Sequence, residues 1–555
     1  MAKFEGLPAF SFNMFMPKLV TCLREGYGPA RFRADAMAGL TVAVVALPLA
    51  MAFAIASGTT PDRGLFTAVV AGFLISALGG SRHQIGGPTG AFVVVVFGII
   101  QQHGYDGLVI ATLMAGVMLV AGGLLGLGAV IKYVPYPVVT GFTAGIAAII
   151  FSTQVKDFFG LAFPHTPANF LDTWRLVGES IATIRLPTVA VGALTLAVIL
   201  VLRRFRPTWP IMLIGVVVGA LLVWLANFPV ETIGSRFGGI PRSLPAPSLP
   251  EVSLKRLIDL APSAFTIAFL AGIESLLSAV IADGMTGRRH RSNGELVAQG
   301  VANIASGIFG GIPATGAIAR TATNVRAGAQ TPVAGMLHAV FLFGFMWLLA
   351  PLAAMIPLAS LAAVLMVVAW FMSEAKGFRH LMRAPRSDRL VLLLTFGLTI
   401  LVDITVAIGV GVVLASLLFM RRMAQATHIE GDGDQADAGF ETAAPPGVVM
   451  YRIDGPFFFG VAAHLNEILD RIGSPPKVFV LRLGHVPFID ASGAHALEEF
   501  INRCRLRGAQ VILTHVQSQP LNVLKAMGIA GQLGPDGIAD TVEVALATAQ
   551  RLVSP

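Results

Sequence analysis

Fourteen apolar runs follow one another between residues 36 and 421, and few folds can accommodate them. They lie at 36–57, 63–79, 87–101, 107–130, 134–153, 186–202, 208–227, 260–283, 294–309, 315–327, 330–350, 352–372, 388–402 and 404–421. About 20 apolar residues in a helix cross the hydrocarbon core of a bilayer. Backbone polar groups inside lipid must be satisfied within the protein, so such a chain is expected to fold as a polytopic α-helical membrane protein. Composition agrees. The chain is 55% hydrophobic and only 13% charged, whereas soluble domains carry about 25% charged residues.

The net charge of +8 does not indicate nucleic acid as a partner. The basic residues fall in short clusters between apolar runs: Arg203-Arg204-Phe205-Arg206, Arg288-Arg289-His290-Arg291, and Lys376 to Arg389. Loops of that kind mark the cytoplasmic side of a membrane protein. An even number of segments puts both termini on that side, and the basic loops after segments 6, 8, 12 and 14 all fall there. The expectation is a multi-pass protein of the inner (plasma) membrane with cytoplasmic N- and C-termini. Residues 1–35 read as a cytoplasmic N-terminal segment without a cleavable signal. The Pro-rich stretch 240–250 reads as an extended connection on the outer side. Cys22 and Cys504 are far apart and on the reducing side, so no disulfide is expected.

Two segments are unusual. The third begins "GGPTGAFVVVV" at 86–96 and the tenth begins "GGIPATGAIAR" at 310–320. Each is third in a set of seven, so the transmembrane domain, 36–422, divides into repeats of about 36–227 and 260–422. Interrupted segments at matching places in two halves point to an inverted-repeat transporter with a site between the broken helices. A helix start leaves N–H groups without partners and acts as roughly half a positive charge. Two such starts and the guanidinium of Arg320 make a site of about +2, suited to an anion. Glu274, in an otherwise apolar segment 8 with Ser278 one turn on, is a functional candidate by its place in the membrane. Its structural alternative is a salt bridge to Arg320 or a hydrogen bond to a neighbouring helix end. Protonated, it would leave the site matched to a dianion, which suggests proton–dianion symport. Other polar groups read as structural: Asp283 as interfacial, Asp403 as a loop residue, His338 as a hydrogen-bonded helix histidine, and Asn293 with Glu295 as a helix-start cap with an acid in the first turn. No metal-ligand spacing, nucleotide fingerprint or nucleophile–base set is visible, so no cofactor, metal or enzyme activity is expected.

After Arg421-Arg422 the texture changes. Residues 423–447, which include the acidic stretch 430–447, read as a flexible linker. Residues 448–555 read as a small α/β domain. Its strands are expected at 448–453, 477–483 and 509–516, and its helices at 461–472, 492–507 and 519–528.

These residues resemble the SulP family, sulfate-permease type anion transporters that end in a STAS domain. The resemblance rests on "ALPLAMAFAIASG" (46–58), "GGSRHQIGGPTGAFVVV" (79–95), the stretch 273–329 and "FIDASGAHALEEF" (488–500). Within the family the chain looks most like the bacterial C4-dicarboxylate permease branch, through "PLAMA", "IESLL" and "AIAR…NVRAGA". The resemblance implies a core domain of segments 1–4 and 8–11 that moves like an elevator against a gate domain, and a homodimer supported by STAS contacts. It places substrate at Phe53, Pro88, Thr89, Gly90, Ala91, Ala317, Ile318, Ala319 and Arg320, and the proton at Glu274. Ser492 matches a serine that related anti-sigma antagonists phosphorylate; the alternative is that Asp490 and Ser492 merely cap the helix that follows. Leu49 and Ala319 stand where many relatives carry Gln and Ser, so two side-chain donors are missing. Sulfate and C4-dicarboxylates such as succinate or fumarate are the expected dianions. Bicarbonate transport, or an uncoupled exchanger or channel, is the alternative. Sodium coupling is disfavoured, because Arg320 would repel a cation.

Overall fold

The computed structural model describes residues 14–129, 134–167, 169–206, 209–425, 427–431, 444–458 and 476–554. They form two compact units, divided at Val412 and Val413.

The first unit contains the expected segments up to the first half of segment 14. Segments 1 and 2 are Pro29–Ala56 and Pro61–Leu78, each started by a proline, the residue whose missing N–H costs nothing at that position. Segments 3 and 4 form one helical run, Ala91–Leu124, broken at Gly104 with φ +69°. Segments 5, 6 and 7 are Tyr136–Phe159, Leu186–Phe205 and Ile211–Ala226. Segments 8, 9 and 10 are Leu254–Thr286, Ser292–Ile308 and Ile318–Arg326. Segments 11 to 14 are Val333–Ala353, Leu358–Met372, Arg386–Leu401 and Ile404–Gln425. Among the described residues nine helices are long and apolar enough to cross a membrane by themselves. Segments 7, 9, 10 and 13 are shorter and depend on their neighbours.

Segment 1 begins seven residues before the expected boundary at 36, and a further helix, Lys18–Arg24, precedes it. The charges of Arg31, Arg33 and Asp35 hide this start in the sequence. Asp35 is fully buried. Its carboxylate accepts the backbone N–H groups of Gln330 (2.7 Å) and Thr331 (3.1 Å), and the hydroxyls of Thr331 and Tyr27. Gln330 and Thr331 lie just ahead of segment 11, so an acid of segment 1 holds the start of segment 11. Cys22 and Cys504 are both free and buried.

Helix packing sorts the segments into two groups. Segment 9 lies on segments 2 and 4, segment 8 on the 3–4 run, and segment 11 on segments 1 and 2. Segment 12 lies on segments 5, 6 and 7, and segment 13 on segment 5. These are the expected core and gate sets. Segments 4 and 9 cross at paired glycines, where a Cβ on Gly300 would come within 2.5 Å of the Gly116 carbonyl oxygen. Small residues let membrane helices approach this closely. Gly300→Ala must therefore push the two helices apart, at a cost of about 1–3 kcal/mol. Thermal unfolding of the purified protein should show a lowered midpoint; an unchanged midpoint contradicts this packing.

The second unit holds a five-stranded sheet in the order β3-β4-β5-β6-β7: His428–Gly431, Val448–Asp454, Val478–His485, Gln510–Thr514 and Ile538–Ala539. The first pair is antiparallel and the others are parallel. Alternate residues of β5 feed opposite faces, Phe479 and Leu481 toward Phe500, Val478 and Val480 toward Ala545. The helices Ala491–Leu506 and Ser518–Ala526 stand where expected. The helix expected at 461–472 lies outside the described residues. Strand β3 occupies part of the stretch read as linker, because an edge strand of four residues carries little signal without its partner β4.

Candidate anion site

The two glycine-rich motifs meet. Gly86–Gly87 (β1) and Thr315–Gly316 (β2) pair antiparallel, Gly86 opposite Gly316 and Gly87 opposite Thr315. Segment 3 starts at Ala91 and segment 10 at Ile318, so this short ladder brings both helix starts to one place. Irregular backbone inside a membrane domain needs side-chain partners, and three polar residues supply them. Asn303 receives the Ala314 N–H and donates to its carbonyl, both at 2.8 Å. Thr67 accepts from the Ile312 N–H at 2.7 Å. Ser306 donates to the Ile312 carbonyl at 2.7 Å.

Arg320, in the first turn of segment 10, is 2% exposed. Its guanidinium lies against β1: a Cβ on Gly87, whose φ is +147°, would be 2.8 Å from Nη1. Among the described residues neither Nη1 nor Nη2 has a hydrogen-bond partner. Glu274 does not pair with it. Instead the Thr89 hydroxyl donates to Glu274 Oε2 at 2.9 Å, which ties segment 8 to the turn that starts segment 3. Glu274 and Thr89 are both half-buried.

Phe53 is brought to the same place, 3.3 Å from where a Gly90 Cβ would stand. Met372, at the end of segment 12, comes still closer, at 2.5 Å. It was not foreseen, since a methionine closing an apolar helix resembles any lipid-facing residue. Of the segment 10 candidates, Ile318 and Ala319 are exposed, whereas Ala317 is buried and its N–H is spent on the Ile85 carbonyl at 2.8 Å. The first bond inside segment 10 runs from the Thr321 N–H to the Ala317 carbonyl. The N–H groups of Ile318, Ala319 and Arg320 thus lack helical partners. Pro88 has no N–H; Gly90 caps segment 3.

A second polar layer lies behind. Ser278, expected beside Glu274, donates to Thr321 Oγ1 at 3.0 Å, and that oxygen accepts the Ile85 N–H. Glu295 is fully buried and accepts from the Gly80 N–H (2.9 Å), the Ser81 N–H (3.1 Å), Gln299 (3.0 Å) and Ser275 (3.2 Å). Ser275 in turn accepts from Gln84 at 2.7 Å. Glu295 does stand in the first turn of segment 9, but it clamps the loop that carries β1 to segments 8 and 9. Asn293 is no cap of its own helix; its Oδ1 accepts the Gly128 N–H at 3.0 Å. His338 is fully buried and, among the described residues, neither ring nitrogen has a partner, so the expected hydrogen bond is not found. Segment 11 packs closely on segment 1 there, where a Cβ on Gly39 would stand 3.1 Å from the His338 backbone N. Asp283 accepts from His290 at the end of segment 8 (2.7 Å), and Asp403 caps segment 14 through the Thr405 N–H (2.6 Å).

In the second unit Asp490 caps the helix Ala491–Leu506 by accepting the Gly493 N–H at 2.6 Å. Ser492 is exposed on the first turn. Capping therefore rests on Asp490.

Residues 32–395 match the Sulfate permease family, and residues 440–545 match the STAS domain. The chain belongs to the sulfate permease family. It is an anion transporter, a multi-pass membrane protein and not an enzyme. YvdB of Bacillus subtilis (strain 168), provisionally named a sulfate transporter, is 42% identical over 519 residues, 93% of this chain and 97% of the relative. The bicarbonate transporter BicA of Picosynechococcus sp. is 31% identical over 542 residues, 93% of this chain and 94% of the relative. In fold the chain is similar to the murine Slc26a9 anion transporter, with a TM-score of 0.87 at 18% identity, covering 99% of this chain and 96% of that one. It is similar also to the transmembrane domain of a cyanobacterial BicA, with a TM-score of 0.61 at 30% identity, covering 70% of this chain and 98% of that one.

Removing the Glu295 carboxylate leaves buried donors without an acceptor, each worth roughly 1–3 kcal/mol. Glu295→Ala should therefore lower stability by about 2 kcal/mol or more, read as the unfolding midpoint of the purified protein. A wild-type midpoint would contradict the clamp.

Proposed function

We propose that this sulfate permease family member is a proton-coupled symporter of a divalent oxyanion, with sulfate as the first candidate. The observation that carries the reading is Arg320: a buried guanidinium whose two terminal nitrogens lack partners among the described residues. Burying a charge without partners is costly, and a bound oxyanion would remove that cost with bidentate hydrogen bonds. The N–H groups at the start of segment 10, with that of Ala91 at the start of segment 3, add neutral donors; the Phe92 and Val93 N–H groups are spent on the Thr89 and Gly90 carbonyls. Leu49 supplies no donor from segment 1, so backbone and Arg320 do the recognition, while Phe53 and Met372 wall the pocket.

Glu274 is the coupling acid in this reading. It shares the Thr89 hydroxyl with the turn before segment 3, so its charge faces the same pocket. Ionised, it opposes an anion; protonated, it leaves the positive field of Arg320 and the helix starts uncancelled. One proton would then enter with each dianion, and the core group of segments would carry both past the gate group as an elevator. The family description and the name of YvdB support sulfate. BicA's name supports bicarbonate as the competing substrate. The comparisons add nothing for a C4-dicarboxylate, which stays a competitor in the test. In the same reading both termini are cytoplasmic in the inner membrane, the chain pairs as a homodimer, and Ser492 is an accessible regulatory phosphosite.

Proteoliposomes decide it. Labelled sulfate should accumulate when the outside is acidic, and unlabelled sulfate should compete better than succinate or bicarbonate. Glu274→Gln should keep sulfate exchange but lose the response to the pH gradient. Unchanged gradient-driven accumulation in Glu274→Gln would overturn the coupling, and stronger competition by succinate or bicarbonate would overturn sulfate.

A further inference from the structure

A cavity of about 620 Å³ opens on the side of the gate segments, away from the residues of the anion site. Segments 5, 6 and 12 form its walls, and the helix Phe170–Glu179 contributes Trp174 and Val177. That helix is anchored over the groove: the Trp174 indole N–H donates to Ser152 Oγ of segment 5 at 3.0 Å. Along segment 6 the lining runs from Ile184, just before the helix, to Arg203 near its end. Within the helix the lining residues are Leu196, Leu200 and Arg203, three or four positions apart on one face, so the groove follows segment 6 to its basic end.

The walls are apolar, and several of their large residues, Leu200 and Trp370 among them, are exposed at the side of the helices that would meet lipid. Such walls give water no partners. Among the described residues that line the cavity Arg203 is the charged one. Its guanidinium sits 4.1 Å from the centre of the Phe371 ring, which holds it at the mouth. Arg204 and Arg206 follow it in the chain. A long apolar slot that ends in an arginine within a basic cluster has the charge and shape of one kind of molecule. A guanidinium recognises phosphate with paired hydrogen bonds, and basic clusters at the end of a membrane helix favour anionic lipid.

We infer that this groove binds an anionic phospholipid, its acyl chain between segments 5, 6 and 12 and its phosphate at Arg203. The site is independent of the anion pocket and of the transport reading. Bound lipid fills the gap between the gate helices and the helix Phe170–Glu179, and so stiffens the group against which the core group packs.

The test uses the full chain purified in mild detergent and supplied with phosphatidylglycerol or phosphatidylcholine. Native mass spectrometry counts retained lipid, and thermal unfolding reads its effect. The expected result is about one phosphatidylglycerol retained per chain and a higher midpoint than with phosphatidylcholine. Arg203→Gln should abolish the preference between the two lipids while the protein folds normally. Leu200→Trp, which fills the groove, should abolish retention of both. Equal retention of the two lipids by the unaltered chain overturns the inference, as does wild-type retention in both variants. Should Leu200→Trp fail to fold, the Arg203→Gln comparison decides alone, and an undiminished preference in it is the overturning result.

Discussion

The pairing of two residues of β1 with two of β2 is the constraint on which the membrane domain depends. Each repeat contributes one broken segment, and neither break is useful alone. A helix start in a membrane has N–H groups that lipid cannot satisfy. Crossing the two breaks as a ladder satisfies part of that demand with backbone and leaves the remainder facing one pocket. The field of both helix starts then adds to that of Arg320, which lies directly on the ladder at Gly87.

A shell of buried polar side chains makes the crossing possible. Asn303, Thr67 and Ser306 hold the approach to β2, while Glu295, Ser275 and Gln84 hold the approach to β1. These groups come from segments 2, 8 and 9 and from the loop before β1, so both repeats brace the site. Buried polar networks of this kind rigidify when every member is satisfied. Arg320 differs from these groups in kind: it is a buried cation whose two terminal nitrogens lack hydrogen-bond partners among the described residues.

Much of this was legible in the sequence. The segments announce themselves by length and hydropathy, and the breaks by glycine and proline at matching places. Glu274 and Arg320 stand out as charges inside apolar runs. What stayed hidden depends on contacts between distant positions. Glu295 reads as an ordinary first-turn acid, because Gly80 and Ser81 lie 215 and 214 residues away. Asp35 reads as part of a charged N-terminal segment, because its partners at Gln330 and Thr331 lie at the other end of the domain. The helix Phe170–Glu179 is too short and too mixed to register as membrane structure. The spent N–H of Ala317 shows the same limit at the site itself: a motif names the residues near a ligand, but only the register of β1 with β2 shows which amides remain free.

The central claim is that the oxyanion occupies the space between the starts of segments 3 and 10, against Arg320. Anomalous scattering from selenate, a heavier analogue of sulfate, tests this directly in crystals of the full chain. The account predicts one selenium peak within hydrogen-bond distance of the Arg320 guanidinium and the N–H groups of Ile318 and Ala91, and loss of that peak in Arg320→Gln. A peak elsewhere in the membrane domain, or an undiminished peak in Arg320→Gln, would contradict it.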